Sequence, residues 1–118
     1  MGVLDRSSRE KLISEMKKLA IENDSAFWKD IAERLDRSIN RISEVNVGKI
    51  SRFAKSGEIV VVPGVILGAG SVDEPITVAA LYFTKTAKKK IEEAGGKIYT
   101  LKELMELNKS GSKLRIMG

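Results

Sequence analysis

Residues 60–73 read VVVPGVILGAGSVD, an apolar β-branched run followed by glycines and then an acid. The run at residues 59–62 is typical of a strand that is buried on both faces. A glycine-rich turn directly after such a strand is also where nucleotide-binding α/β proteins hold phosphate. The stretch therefore decides between a nucleotide-binding fold and an α/β fold with another task.

The residues after the glycines argue against a phosphate-binding loop. The third glycine of the fingerprint G-x-G-x-x-G is replaced by Asp73, whose carboxylate would repel phosphate. Glu74-Pro75 and a strand pattern follow instead of a helix, and the chain contains no Gly-Lys-Ser or Gly-Lys-Thr. We interpret Pro63-Gly64 and residues 68–70 as sharp bends between strands, where no Cβ atom fits.

Length and charge set the broad class. The 118 residues predict a single domain over residues 1–118 with a real hydrophobic core. Lysine and arginine number 21 against 16 acids, for a net charge of +5, which favours a polyanionic partner and nucleic acid before membrane. Aromatic residues make up only 5%, so a surface built from many stacked bases is not expected.

The residue types that are missing exclude most chemistry. Without cysteine or histidine the chain has no thiolate nucleophile, no imidazole acid-base catalyst and no common zinc site. The acid pairs Asp30 with Glu33 and Glu92 with Glu93 lie among basic residues on predicted helix faces, and we interpret them as ion-pair partners. We expect no enzyme activity, no cofactor and no metal. No apolar run is long enough to cross a membrane, and we expect a cytoplasmic protein.

The first part of the chain, residues 1–36, predicts a helical hairpin. Ser7 and Glu10 have the spacing of a capping box, and an apolar stripe continues to about Ile21. Residues 23–25 break the helix before a second amphipathic stripe that contains Trp28. At that spacing we assign Trp28 to the core.

Residues 37–118 predict a mixed α/β core. Strand, short helix, glycine and strand follow one another twice, with a helix capped by Thr84 or Thr86, a left-handed stop at Gly95-Gly96 and a second capping box from Thr100 to Glu103. We interpret these units as turns of an irregular strand-helix-strand superhelix, and an ordinary small α/β sheet stays open as the alternative. At the C-terminus, Leu114 and Ile116 predict an edge strand that turns its basic side to the partner.

Basic residues concentrate in three places outside the hairpin: residues 37–55, the start of the helix after Thr84, and the C-terminal tail. Lysines at a helix N-terminus oppose the helix dipole, so their position indicates a binding role. Such clusters suit contacts with phosphates that bind the shape of RNA without reading bases. The candidate RNA-binding residues are Arg37, Arg41, Lys49, Arg52, Lys55, Lys85, Lys88, Lys89, Lys113 and Arg115.

Several segments in order carry a resemblance to a known family. They are WKDIA at 28–32, EVNV at 44–47 with Lys49-Ile50 and Arg52, VVVPG at 60–64, LGAG at 67–70, TVAAL at 77–81, AKKKI at 87–91 with Gly95-Gly96, and SGS at 110–112 with RIMG at 115–118. Together they resemble the archaeal large-subunit ribosomal proteins of the eighteen-e family, relatives of bacterial large-subunit ribosomal protein fifteen.

The resemblance implies an irregular α/β superhelical core and a structural role in the large ribosomal subunit. The implied partners are large-subunit rRNA and neighbouring ribosomal proteins, with no membrane and no small-molecule substrate. The alternatives are an RNA-binding regulator outside the ribosome and, in a third class, a small-molecule enzyme. The chain departs from the family where several consecutive arginines are usual, at residues 37–41, and where Gly48 and Ser51 replace the usual serine and asparagine.

Overall fold

The computed structural model describes residues 5–37 and 42–118, and within them it forms five helices and five strands. In chain order the elements are α1 (Arg6–Glu22), α2 (Ala26–Arg37), β1 (Ser43–Asn46), α3 (Val47–Phe53), β2 (Ile59–Leu67), β3 (Thr77–Phe83), α4 (Lys85–Glu93), β4 (Lys97–Thr100), α5 (Leu101–Leu107) and β5 (Leu114–Ile116). No helix in these ranges has the length and apolar character needed to span a membrane.

All strand pairs in the sheet are parallel, and the order is β1-β2-β3-β4 with β5 also paired to β2. Since β3 occupies one edge of β2, the strands β1 and β5 share the other edge. Residues 59–61 of β2 pair with β5, and residues 64–67 pair with β1. The central strand is therefore enclosed on both edges along most of its length.

Helices cover both faces of this sheet. Val61 of β2 faces a core shared with α1, α2 and α5, which includes the fully buried Trp28. Val60 and Val62 face the opposite core, which they share with α3 and α4. Because alternate residues of β2 enter different cores, the strand is apolar at nearly every position, as a strand buried on both faces must be.

The structure confirms the mixed α/β class and the order of two N-terminal helices before the strand-helix units. It also confirms Trp28 as a core residue, Thr84 and Thr100 as helix caps, and the left-handed stop at Gly95 (φ 84°). The strands join in one continuous sheet, which corresponds to the small α/β sheet that the sequence left open. The division into a hairpin and a core at residue 36 stays a prediction.

Two local expectations were wrong. The first helix is capped by Asp5, whose carboxylate accepts from the Ser8 backbone N–H at 3.0 Å, and not by Ser7; Glu10 instead accepts from Arg6. An aspartate in the right place caps as well as a serine, so the helix starts earlier. Pro63-Gly64 does not bend the chain between strands, because β2 continues through it with a register shift against β3.

The connection between β2 and β3 has no helix. Parallel strands need a crossover, which is usually helical. Here residues 68–76 run back across the face that carries α3 and α4. We call residues 68–72 the glycine loop.

Candidate nucleic-acid interface

Helices α3 and α4 bring two of the basic clusters to one face of the sheet. α3 buries Val47 and Ile50, while α4 buries Ala87 and Ile91 in the same core. Their remaining positions point away from that core and are rich in cations. We name this surface the basic face and define it by Lys49, Arg52, Lys55, Lys85, Lys88 and Lys89, of which all but the half-buried Lys88 are exposed.

The cations of the basic face form no salt bridge inside the described parts of the chain. The ion pairs found there are Arg6–Glu10, Lys17–Asp36, Arg34–Asp30, Lys102–Glu15 and Arg115–Glu58. All but the last lie among α1, α2 and α5, on the other side of the sheet. Charge is therefore compensated on one face and left available for a polyanion on the other.

The glycine loop lies between α3 and α4. Gly48 at the start of α3 packs against Gly70, and its N–H donates to the Ala69 carbonyl at 3.0 Å. Gly68 packs against Thr86 near the start of α4, where a Cβ atom would lie 2.6 Å from the Thr86 Cβ. The predicted lack of space for a Cβ atom is confirmed at Gly68 and Gly70, and also at Gly64, where the added atom would meet the Ser43 carbonyl.

Lys90 holds the loop from the side of α4. Its ammonium donates to the carbonyl oxygens of Gly68 at 2.6 Å and of Gly70 at 2.7 Å. Sequence reasoning missed this role, although Lys90 lies one turn from the buried Ala87 and next to the buried Ile91. A lysine beside the inward stripe of a helix is the signal that could have found it.

The hydrogen bonds of the loop are the reverse of those in a phosphate-binding loop. A phosphate loop directs its backbone N–H groups to the anion. Here the N–H of Ala69 donates to the Asn46 side-chain oxygen at 3.1 Å, and the N–H of Asp73 donates to Ser51 Oγ at 3.3 Å. With these N–H groups occupied and two carbonyls bound to Lys90, the geometry favours a structural loop, as the sequence predicted.

Arg115 is used inside the molecule. Its Nη1 donates to the Phe53 carbonyl at 2.7 Å and to Glu58 Oε1 at 3.0 Å, so it ties β5 to the end of α3. The Lys55 backbone N–H, and after it the Arg115 side chain, hold the pKa of the Glu58 carboxyl below its usual value. The predicted strand at Leu114 and Ile116 is confirmed, whereas the expectation that Arg115 simply faces the partner overlooked this tie.

Two other candidates are placed by the described structure. Arg37 ends α2, which packs against the opposite face of the sheet. Lys113 is exposed in the turn before β5 with a left-handed backbone (φ 61°). Arg41 falls outside the described residues. The structure thus groups Lys49, Arg52 and Lys55 with the lysines of α4 and separates them from Arg37.

Comparison with known proteins gives consistent results along the whole chain. The family described as "Ribosomal protein 60S L18 and 50S L18e" matches residues 6–117. A protein of Methanococcus maripaludis named "Large ribosomal subunit protein eL18" is 45% identical over 108 residues, covering 92% of this chain and 90% of that protein. Proteins of the same name from Methanopyrus kandleri and Methanospirillum hungatei are 46% and 44% identical and cover 91% of this chain and 88% of their own length.

Proposed function

This chain belongs to the family of ribosomal proteins 60S L18 and 50S L18e, and from that membership we propose that it is a structural constituent of the large ribosomal subunit. Its partners in this role are large-subunit rRNA and neighbouring ribosomal proteins, and its place is the cytoplasmic ribosome. Similarity at about 45% identity over nine tenths of both chains is the observation that carries the proposal.

The basic face is the part of the molecule that we propose contacts rRNA. Five of its six cations lie on α3 and α4, Lys55 follows α3 directly, and none of the six forms a salt bridge with an acid of the described residues. Ammonium and guanidinium groups displace counterions from phosphates, and this displacement supplies much of the affinity of proteins for RNA. The first turn of α4 contains no acid, so Lys85, Lys88 and Lys89 oppose the helix dipole without local compensation.

Arg37, Arg41, Lys113 and Arg115 complete the proposed RNA-binding set. Arg37 can reach a second RNA segment, since α2 packs against the other face of the sheet. Arg115 retains the N–H groups of Nε and Nη2, because a guanidinium carries five N–H donors and the contacts with Phe53 and Glu58 use only Nη1. Its first role is to position α3, from which Lys49 and Arg52 extend.

Crosslinking of the tagged chain in native lysate, followed by sequencing of the bound RNA, tests the proposal. We expect fragments of large-subunit rRNA, and cosedimentation of the chain with large subunits after a high-salt wash. A free cytosolic pool bound to messenger RNA would support the regulator instead. A chain that binds no RNA would contradict both functions.

A further inference from the structure

A cavity of about 370 Å³ opens on the basic face between α3 and the connection from β2 to β3. It is lined by Gly48, Ser51, Arg52, Gly70, Ser71 and Asp73. Its volume is at the low end of the range for small-ligand sites. The space is large enough for one group of the size of a nucleobase.

Asp73 is the unusual residue of this cavity. Its carboxylate makes no hydrogen bond or ion pair with another residue in the described ranges, although it lines the same cavity as Arg52. Its backbone N–H is fixed by Ser51 Oγ, so the residue is held in the cavity wall by its main chain alone. A free carboxylate weakens phosphate binding nearby, and its position therefore calls for a ligand that donates hydrogen bonds.

Arg52 supplies the second wall. Its guanidinium carbon lies 5.8 Å from the centre of the Phe53 ring, a contact that orients the planar group. Arginine planes stack on unpaired RNA bases, and recognition of RNA sequence relies on such unstacked bases, read along their Watson–Crick edges. The cavity thus contains the Arg52 guanidinium, which can stack on a base, and the Asp73 carboxylate, whose two oxygens accept hydrogen bonds.

We propose, on the basis of the proposed RNA-binding function, that this cavity receives one unstacked guanine base of the bound RNA. Asp73 accepts hydrogen bonds from the guanine N1–H and the N2 amino group, and the Arg52 guanidinium lies against the plane of the base. The lysines of the basic face bind phosphates without regard to sequence, and Arg52 with Asp73 adds one base-specific contact.

Guanine is selected by the chemistry of the carboxylate. Its Watson–Crick edge presents two adjacent donors, N1–H and the N2 amino group, that match the two oxygens of a carboxylate. The amino groups of adenine and cytosine adjoin a ring nitrogen that is itself an acceptor, which a carboxylate repels. Uracil has a single N3–H between two carbonyl oxygens. Inosine equals guanosine without the N2 amino group, so it isolates one of the two hydrogen bonds.

The test uses the full chain and fluorescently labelled oligouridylates of about ten nucleotides with one central guanosine, inosine or adenosine, a length within the site sizes of single-strand binding domains. Dissociation constants are measured by anisotropy at fixed salt. We expect guanosine to bind about ten-fold more tightly than inosine, because a hydrogen bond to a charged group is lost. Asp73→Asn should abolish this preference. Glu74→Gln, which removes the neighbouring exposed carboxylate outside the cavity, should retain it.

The outcomes distinguish a failure of the guanine site from a failure of the proposed RNA-binding function. Equal binding of guanosine and inosine by the unchanged protein would overturn the guanine site while leaving RNA binding intact. Absence of binding to every oligonucleotide at low salt would overturn the guanine site, and absence of binding to large-subunit rRNA as well would overturn the RNA-binding function itself. An effect of Asp73→Asn that disappears when Mg²⁺ is withheld would show that the carboxylate holds a divalent cation, and would overturn the guanine proposal. Unchanged melting of Asp73→Asn confirms that the comparison concerns binding.

Discussion

Gly70 combines the two reasons for which a glycine cannot be replaced. Its φ of 92° lies in the left-handed region, and an added Cβ atom would lie 2.6 Å from Gly48 Cα. Gly57 has a similar φ of 83° with nothing within 4 Å of the added atom. The two positions therefore separate backbone strain from steric exclusion.

Gly57→Ala should cost about 1 kcal/mol of unfolding free energy from left-handed strain alone. Gly70→Ala should cost about 1–2 kcal/mol more, because a backbone atom of Gly48 must move. Urea unfolding without RNA measures both values. Equal costs at the two positions would show that the contact between Gly48 and Gly70 is loose.

Glu58 makes stability depend on pH through its contacts with the Lys55 N–H and Arg115. Since its pKa is lowered in the folded state, its contribution is present above the unfolded pKa and is lost as pH falls through the folded pKa. We expect the urea concentration at the midpoint of unfolding to decrease as the pH is lowered below about 4.3, the ordinary pKa of glutamate. This part of the fall should be missing in Glu58→Gln.

The control for that measurement is Glu44→Gln, which changes an exposed glutamate with no ion pair in the described ranges. It should keep the pH profile of the unchanged protein. A Glu58→Gln profile that superimposes on the Glu44→Gln profile would contradict the assigned role of Glu58.

Among the elements, α4 depends on one lysine to hold the crossing loop. Lys90→Met keeps the aliphatic stem and removes the ammonium that binds the carbonyls of Gly68 and Gly70. We expect a loss of about 1–3 kcal/mol, since hydrogen bonds from a charged group are being removed at a partly buried site. Faster amide exchange in residues 68–72 should accompany it. Lys89→Met, an exposed neighbour on α4, should leave both stability and exchange unchanged, and equal behaviour of the two variants would refute the assignment.

Strand β5 is docked by its apolar side as well as by Arg115. Leu114 and Ile116 are half-buried against the core shared by α1, α2 and α5. Replacing both with serine should cost about 2–3 kcal/mol, less than full burial of two such side chains would give. Leu107→Ser, at a leucine that is 67% exposed, serves as control and should cost little. A double variant that melts like the unchanged protein would show that β5 adds only charge.

Across the molecule, charge is distributed unequally between the two helical layers, and this predicts which face binds RNA. Lys49, Lys85 and Lys89 lie on the basic face, whereas Lys11, Lys18 and Lys29 are equally exposed on α1 and α2. Changing either trio to glutamine alters the net charge by the same amount. Only the first change removes the proposed phosphate contacts.

Replacing the three lysines of the basic face should make the slope of log binding constant against log salt concentration shallower by about two to three units. Each phosphate contact contributes about 0.7–0.9 to this slope. The α1–α2 trio should reduce affinity slightly through the long-range field and leave the slope unchanged. Filter binding over a salt series measures both slopes. Equal changes in the two slopes would mean that RNA binding does not depend on the face.

Local patterns were sufficient for most elements, because their causes lie within a few residues of each other. The apolar stripe through Trp28, the capping box at Thr100 and Glu103, and the β-branched run of β2 each predicted the element that formed. The cap at Asp5 was missed because a second capping pattern lay two residues further on. The path of β2 through Pro63-Gly64 depended on pairing with β1 and β3, which no local pattern reports.

The amino-acid sequence determined the fold class, the absence of a phosphate loop and the excess of cations at residues 49–55 and 85–89. Only the tertiary structure decided how these parts combine. It joined α3 and α4 on one face, turned Lys90 and Arg115 inward as ties, and left the Asp73 carboxylate beside a cavity with no partner among the described residues. The physical reason is that each of these contacts joins residues about 20 or more positions apart. Packing and the path of the glycine loop determine which charged side chains are paired. Residue type alone does not show which ones these are.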